Sequence, residues 1–217
     1  MCFTYRVKEI MITIVIPTKG DRGYLNEALD SISDQTFKDY EILIQKSNGS
    51  AGYNINKGIE RAKGKYICYL CDDDLLTPDS LKVRWEFMEA NNYDFIHSKG
   101  FKLLPNGNTV HYGLTNPYAE FNSILKENGV MGGSTMYRTE MLKENLFDEN
   151  LTTAEEWELH LRLLSKNYKL GYLDKYCYLY RLHPLQKSIG NKSPEYQARR
   201  NEVKKQIRER YAKKTIL

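Results

Sequence analysis

Three carboxylates in a row, Asp72, Asp73 and Asp74, stand in CDDDLLTP, where an apolar run stops. Adjacent like charges repel, and a fold has no need to collect them. At a strand end they suit a hard divalent cation, Mn2+ or Mg2+, held by one or two carboxylates together with a ligand's phosphates. A metal placed there would act as a Lewis acid and neutralise a diphosphate leaving group. The competing reading is an acidic turn before a helix starting at Pro78, whose N-terminus also welcomes negative charge. One Asp would serve for that; three point to metal.

Other chemically capable residues are more ambiguous. Thr153-x-x-Glu156 has capping-box spacing, so Glu156 reads, from its own segment, as the tie-off of a helix beginning near Ala154. The alternative is a carboxylate at a helix start, facing a cleft and taking a proton from a hydroxyl. His183 in YRLHP is alone, and lone histidines are more often structural. Gly132 and Gly133 precede a short strand, as where backbone must approach another group closely, or form a simple turn. Cys68 and Cys71 have CxxC spacing but lie in YICYLC, a buried strand pattern in which residues three apart face opposite ways. They read as buried free thiols.

The elements that must position these residues follow from periodicity. ITIVIP (12–17), EILI (41–44) and KYICYL (65–70) are strands. Between and after them run three helices. The first carries Leu25, Leu29 and Ile32 on one face, the second Ile55, Ile59 and Ala62, and the third Leu81, Trp85 and Met88. SNGSAG (47–52) is a turn. This alternation predicts βαβ units and a parallel sheet, with ligands beyond the carboxyl ends of the strands. Pro17–Arg22, Ser47–Gly49 and Asp72–Asp74 all fall there. Farther on, DFIHS and FKLL read as strands and FKLLPNGNTVHY as a hairpin around Asn106-Gly107. TTAEEWELHLRLLSKNY places Trp157, Leu161, Leu164 and Tyr168 on one helical face, and aromatic-rich strands follow. The expected fold class is α/β, one domain over 11–190 with a mixed sheet, parallel in its N-terminal half. Residues 1–10 would be an extension outside the fold, and 191–217 a basic C-terminal helix.

At 217 residues with net charge +4, the composition is that of an ordinary globular protein. No apolar run reaches membrane-spanning length and the start lacks a secretory pattern, so a cytoplasmic protein is expected. The tail QARRNEVKKQIRERYAKK carries eight basic residues against two Glu. It reads as a solvated helix, with at most a weak peripheral contact to an acidic membrane and no nucleic-acid role.

ITIVIPTKGDRGYLNEALDSISDQTFKDYEILI resembles the opening of inverting family 2 glycosyltransferases of the GT-A fold. NKGIERAKGKYICYLCDDDLLTPDSL, AEEWELHLRLL and YLYRLHPLQKS resemble later segments in the same order, so the likeness runs from Ile12 to Ser188. By that resemblance, residues 11–100 would form the nucleotide- and metal-binding half of the domain and 101–190 its acceptor half. It implies a nucleotide pocket lined by Pro17, Thr18, Lys19 and Arg22, with Ser47, Asn48 and Asn56 opposite. Asp72 and Asp73 would meet the donor diphosphate, and Asp72, Asp73 and Asp74 the metal. AEEW matches a Glu-Asp-Trp element whose second acid is the catalytic base, which falls on Glu156 and displaces the cap reading. Gly132, Gly133, Ser134, Glu155 and Trp157 would lie near the acceptor, and Arg181 and His183 on a closing loop.

The sequence also departs from that pattern. SNGS replaces an Asp-Asp-Gly-Ser turn, Cys71 stands at the usual first Asp, and Glu156 is longer than the usual Asp by one methylene. The chain between SNGS and NKGIERA is short, without a helix and strand common in relatives. The expected activity is metal-dependent, inverting transfer from a nucleoside diphosphate sugar, a UDP-sugar favoured, to a hydroxyl acceptor such as a glycan. The alternative is a degenerate module that binds nucleotide or glycan without transfer.

Overall fold

The computed structural model describes residues 10–20, 22–112, 120–186 and 193–212. The expected N-terminal extension therefore lies, Ile10 apart, outside the described residues, as do both ends of the 191–217 tail. Its sheet is eight-stranded, in the order β2-β1-β3-β7-β5-β8-β4, with β6 pairing on β5. The strands are β1 (Ile12–Thr18), β2 (Tyr40–Lys46), β3 (Tyr66–Tyr69), β4 (Leu75–Leu76), β5 (Phe95–Leu103), β6 (Thr109–Tyr112), β7 (Met136–Arg138) and β8 (Leu170–Arg181). The first three are parallel, β1 central. β7 then joins antiparallel to both β3 and β5, so the sheet is mixed as expected.

β1 shows why the first half winds on both faces. All seven of its residues are buried. Ile12, Ile14 and Ile16 point to the side covered by α1 (Leu25–Ser33), with Ala28 and Ile32. Val15 points the other way, to Ile55 and Ile59 of α2 (Ala51–Arg61). A strand's two-residue period thus supplies both cores. α2 lies so close that a Cβ on Gly58 would come within 2.4 Å of Val15 Cγ1. It starts at Ala51, inside the expected turn, because Ser50 caps it by accepting from the Tyr53 N–H.

Other boundaries moved for tertiary reasons. α3 (Ser80–Ala90) begins after Asp79, leaving Pro78 ahead of the cap. DFIHS and FKLL are one strand, β5, and the aromatic-rich segment is one strand, β8. The two pair in parallel, with register shifts on either side of Lys99 that absorb Asp174, Lys175 and Cys177. The hairpin after β5 is as expected, with Gly107 at φ +83°. β4, α4 (Phe121–Lys126) and α5 (Thr139–Lys143) had no periodic signal, being two to six residues long. α6 (Glu155–Ser165) and α7 (Pro194–Ala212) complete the chain. No helix among the described residues is long and apolar enough to cross a membrane.

α6 is buried on more than its expected face: Leu159 and Leu163 pack on the sheet while Trp157 and Leu161 meet α4 and α7. His160 lies between them, fully buried, its Nε2 2.9 Å from the Tyr137 hydroxyl. Burial, and secondarily His97, push its pKa down from 6.5 to about 3. The unfolded chain takes up this proton below pH 6.5, while the fold refuses it until about 3. Stability is therefore lost as pH falls through that window. Urea midpoints should fall less steeply there for His160→Gln than for wild type, and equal slopes would contradict this account.

Candidate active site

After β3 the chain makes one more parallel bond, Leu70 N–H to Val15 O, and then turns. Asp74 N–H bonds back to Cys71 O at 3.1 Å, which fans the three carboxylates in different directions. All three are buried. Asp72 accepts from the Thr18 hydroxyl and from Arg22 at 3.3 Å. Asp73 Oδ2 lies 2.5 Å from Arg22 NH1 and 3.0 Å from His183 Nε2. Asp74 accepts from the Tyr178 hydroxyl and from Arg181 N–H at 2.8 Å. The last pair exists because β4 pairs antiparallel with β8, Leu75 opposite Leu179.

Arg181 and His183 close this acidic pocket from the end of β8. Arg181 Nε donates to Asp73 O at 2.9 Å, and its guanidinium lies 4.5 Å from the Tyr24 ring centroid while NH2 reaches Glu27 at 2.6 Å. His183 is buried against the same ring, 4.8 Å between centroids. Its Nδ1 has no partner among the described residues.

Across the cleft stands Glu156. Ala154, at φ +61°, caps α6 in the left-handed region without a side-chain bond. The capping box is therefore not formed. Glu156 instead turns inward, its Oε1 3.3 Å from the Tyr69 hydroxyl. Gly132 makes room for this pair, since a Cβ there would sit 1.9 Å from that hydroxyl and 2.9 Å from Glu156 Cγ. A Cβ on Gly133 would lie 2.3 Å from the Tyr178 ring. Both glycines are thus close-approach positions on a 3₁₀ turn, Gly132–Ser134.

The cleft between these walls holds about 610 Å³. It brings together Arg22, Asp73, Asp74, Gly132, Gly133, Glu155 and Glu156, with the edge of Trp157. Along the aspartate wall the field is negative. Burial, then Asp73, push Asp74 well above the usual carboxylate range. Burial, then the Asp74, Asp73 and Glu156 charges, do the same to the Cys71 thiol, and burial, then Glu156, to Tyr69. Cys71 Sγ and one oxygen each of Asp73 and Asp74 lie within 4.8 Å of one another. Contrary to the strand reading, Cys71 lies beyond β3 and only half-buried, whereas Cys68 is a buried free thiol within it.

Several residues expected at the site lie elsewhere. Asn56 is buried, accepting from Phe147 N–H and donating to Phe147 O and Glu149. It pins the loop before α6 and does not reach the cleft. Ser134 is buried too, bonded to Met131 O and Ser98 N–H. Trp157, by contrast, does line the cleft, though it is 2 % exposed and donates its indole N–H to Ile124 O at 2.6 Å. Pro17 is buried in β1, Thr18 props Asp72, and Lys19 is exposed at the rim. Ser47 lines a separate shallow depression with Gly49, Ser50, Tyr53 and Glu149, and Asn48 beside it is exposed. Tyr69, Tyr178 and the inward face of α7 had given no sign in the sequence.

The family model for glycosyl transferase family 2 matches residues 44–146, which include the aspartate cluster and both glycines. Over those residues the chain is similar to the family 2 glycosyltransferases. A glycosyltransferase of Rickettsia conorii, itself uncharacterized, is 29% identical over 198 residues, covering 78% of this chain. This chain spans about a third, 32%, of that relative's length. Among solved structures, residues 1–349 of S. aureus TarS in complex with UDP-GlcNAc superpose with TM-score 0.65 at 18% identity, covering 85% of this chain and 62% of that one. The mannosyltransferase PcManGT of Pyrobaculum calidifontis, in complex with GDP-Man and Mn2+, gives 0.59 at 13%, covering 86% and 59%. Both carry the GT-A fold expected here, a mixed sheet flanked by helices. The family match ends before Glu156, so Glu156 rests on its geometry and on the AEEW motif.

Proposed function

We propose that this domain transfers a sugar, with inversion, from a nucleoside diphosphate sugar to an acceptor hydroxyl, and that Glu156 is the base. The observation that carries this reading is the placement of Glu156 in one cleft with, and across from, Asp73 and Asp74. A single base suits single displacement, because double displacement would need a second carboxylate as nucleophile. Glu156 takes the proton of the acceptor hydroxyl as its oxygen attacks the anomeric carbon, and the diphosphate departs. The Tyr69 hydroxyl orients Oε1, and Gly132 keeps space beside it. Arg22 faces the departing diphosphate from the loop after β1.

The donor set fits a hard divalent cation. Asp73 and Asp74 each bring one oxygen, and Cys71 its Sγ, within 4.8 Å of one another, and Asp73 Oδ2 also meets Arg22 and His183 Nε2. Bound there, Mn2+ or Mg2+ would neutralise charge on the leaving diphosphate. TarS was crystallised with UDP-GlcNAc and PcManGT with GDP-Man and Mn2+, which supports a nucleotide-sugar donor without fixing the base. A UDP-sugar remains the favoured donor. Thermal shifts against UDP- and GDP-sugars, with and without Mn2+, test the reading. A bound donor at 100 times its Kd should add about 2.7 kcal/mol, a shift of several degrees. A shift with no diphosphate release from any donor would favour a binding module, and no shift at all would remove the donor.

A further inference from the structure

The cleft has a second wall of opposite sign. α7 buries Ile207 and Tyr211, with Val203 alongside, against α4 and α6. One residue on, at the same four-residue interval, Arg200, Lys204 and Arg208 line the cleft, joined from β5 by Lys102. Like charges at this spacing destabilise a helix, and turning them inward adds desolvation. Arg208 is already engaged, donating to Lys126 O at 3.1 Å with its guanidinium 5.0 Å from the Trp157 ring centroid. Arg200 and Lys204 are not ion-paired among the described residues, whereas Lys205 and Arg210 on other faces of α7 are. Burial, then Arg200 and Arg208, hold the Lys204 ammonium below its usual range, and Glu127 is the one nearby acid opposing them.

This wall and the acidic one address the same space. Tyr112 lines the cleft, and its hydroxyl, raised chiefly by burial, feels Arg200 as well as Asp74 and Glu156. Its ring lies 5.5 Å from that of Tyr180 and carries Lys102 Nζ at 4.9 Å, leaving an aromatic platform between the walls. In the reading proposed above, Arg22 and the metal held by Asp73 take the donor diphosphate on the acidic side. A lipid surface would need cations facing outward, and Arg200 and Lys204 are half-buried.

We propose that the acceptor is an anion, a hydroxyl compound bearing a phosphate or carboxylate that Arg200 and Lys204 hold while its hydroxyl faces Glu156. The inference rests on the reading of Glu156 as the acceptor's base, and it names the acceptor's class. Its net effect is selection: a neutral hydroxyl compound of the same shape would leave two half-buried cations unpaired.

Ligand-observed NMR titrations of the full chain test it with two matched pairs, glycerol 3-phosphate against glycerol and methyl glucuronide against methyl glucoside. The charged member of at least one pair should bind about tenfold more tightly, the worth of one charge-assisted hydrogen bond. Salt should erode that advantage. Which pair shows it tells phosphate from carboxylate. Arg200→Gln/Lys204→Gln should abolish the preference while keeping the Mn2+-dependent thermal shift with donor, and either single variant should reduce it. Because the double variant relieves repulsion between half-exposed groups, its melting temperature should hold or rise. No preference in either pair, or a preference that survives in the double variant, overturns the proposal. So does loss of sedimentation with phosphatidylglycerol vesicles in that variant without any preference for charged solutes, which would assign the wall to a membrane. Absence of any donor shift would instead refute sugar transfer and leave the anion titrations readable.

Discussion

Glu156→Gln should reduce sugar transfer by about 10²–10⁴-fold, the usual worth of a positioned general base. The amide keeps the length of the side chain and still accepts from the Tyr69 hydroxyl, 3.3 Å from Oε1 in the native protein. Folding and donor binding should therefore be retained, with the loss in turnover and not in donor affinity. Glu155→Gln is the control. Glu155 is buried at the same helix start and lines the same cleft. If Glu155→Gln is the variant that stops transfer, the base assignment moves by one residue. If both variants transfer sugar at the native rate, no carboxylate of α6 is the base.

Asp73→Asn should remove the Mn2+-dependent part of donor binding, weakening it by more than about 100-fold. Loss of residues that only orient a ligand costs about 10–100-fold in metal affinity, and loss of the ligand itself should exceed that. Of the three aspartates, Asp73 is the informative one. Asp72 accepts from Thr18, and Asp74 accepts from Tyr178 and the Arg181 backbone, so changing either disturbs the fold as well. Asp73 bonds through its side chain to Arg22, which lines the cleft, and to buried His183. The variant loses a charge facing two basic groups, so some stability will go with it, and circular dichroism must accompany the titration. EDTA on the native protein should reproduce the effect. Donor binding that survives both treatments would end the metal role.

The two variants separate two functions within one cleft. The first should leave the donor bound but unreactive, and the second should leave the base in place but the donor unheld. A protein that only binds a nucleotide would show the second effect without the first.

Much of this site was legible before any coordinates. β1, β2 and β3 and the helices between them follow from short-range periods, two residues for strands and about 3.6 for helices, which local sequence carries by itself. Because parallel strands present ligands at their carboxyl ends, Asp72–Asp74 could be placed at a binding edge from the end of YICYL alone. Glycines 132 and 133 likewise announced close approach, and Tyr69 and Tyr178 are what approaches.

What the tertiary structure alone decided is which way side chains face when two local readings are equal. Thr153-x-x-Glu156 is a capping box by spacing, yet the left-handed backbone at Ala154 turns Glu156 into the cleft. Asn56 and Ser134 looked available and are consumed by the fold, because buried polar groups must find partners and theirs are backbone groups distant in sequence. β4 is two residues long and exists only because β8 pairs with it. The basic tail read as a solvated helix, since its charge count cannot tell an inward face from an outward one. Its apolar residues Ile207 and Tyr211 dock on α4 and α6, and that contact rotates Arg200 and Lys204 into the cleft. Sequence by itself set the period of the longer elements and the acids at the end of β3, and only packing between distant elements set the rotation that makes those residues face one another.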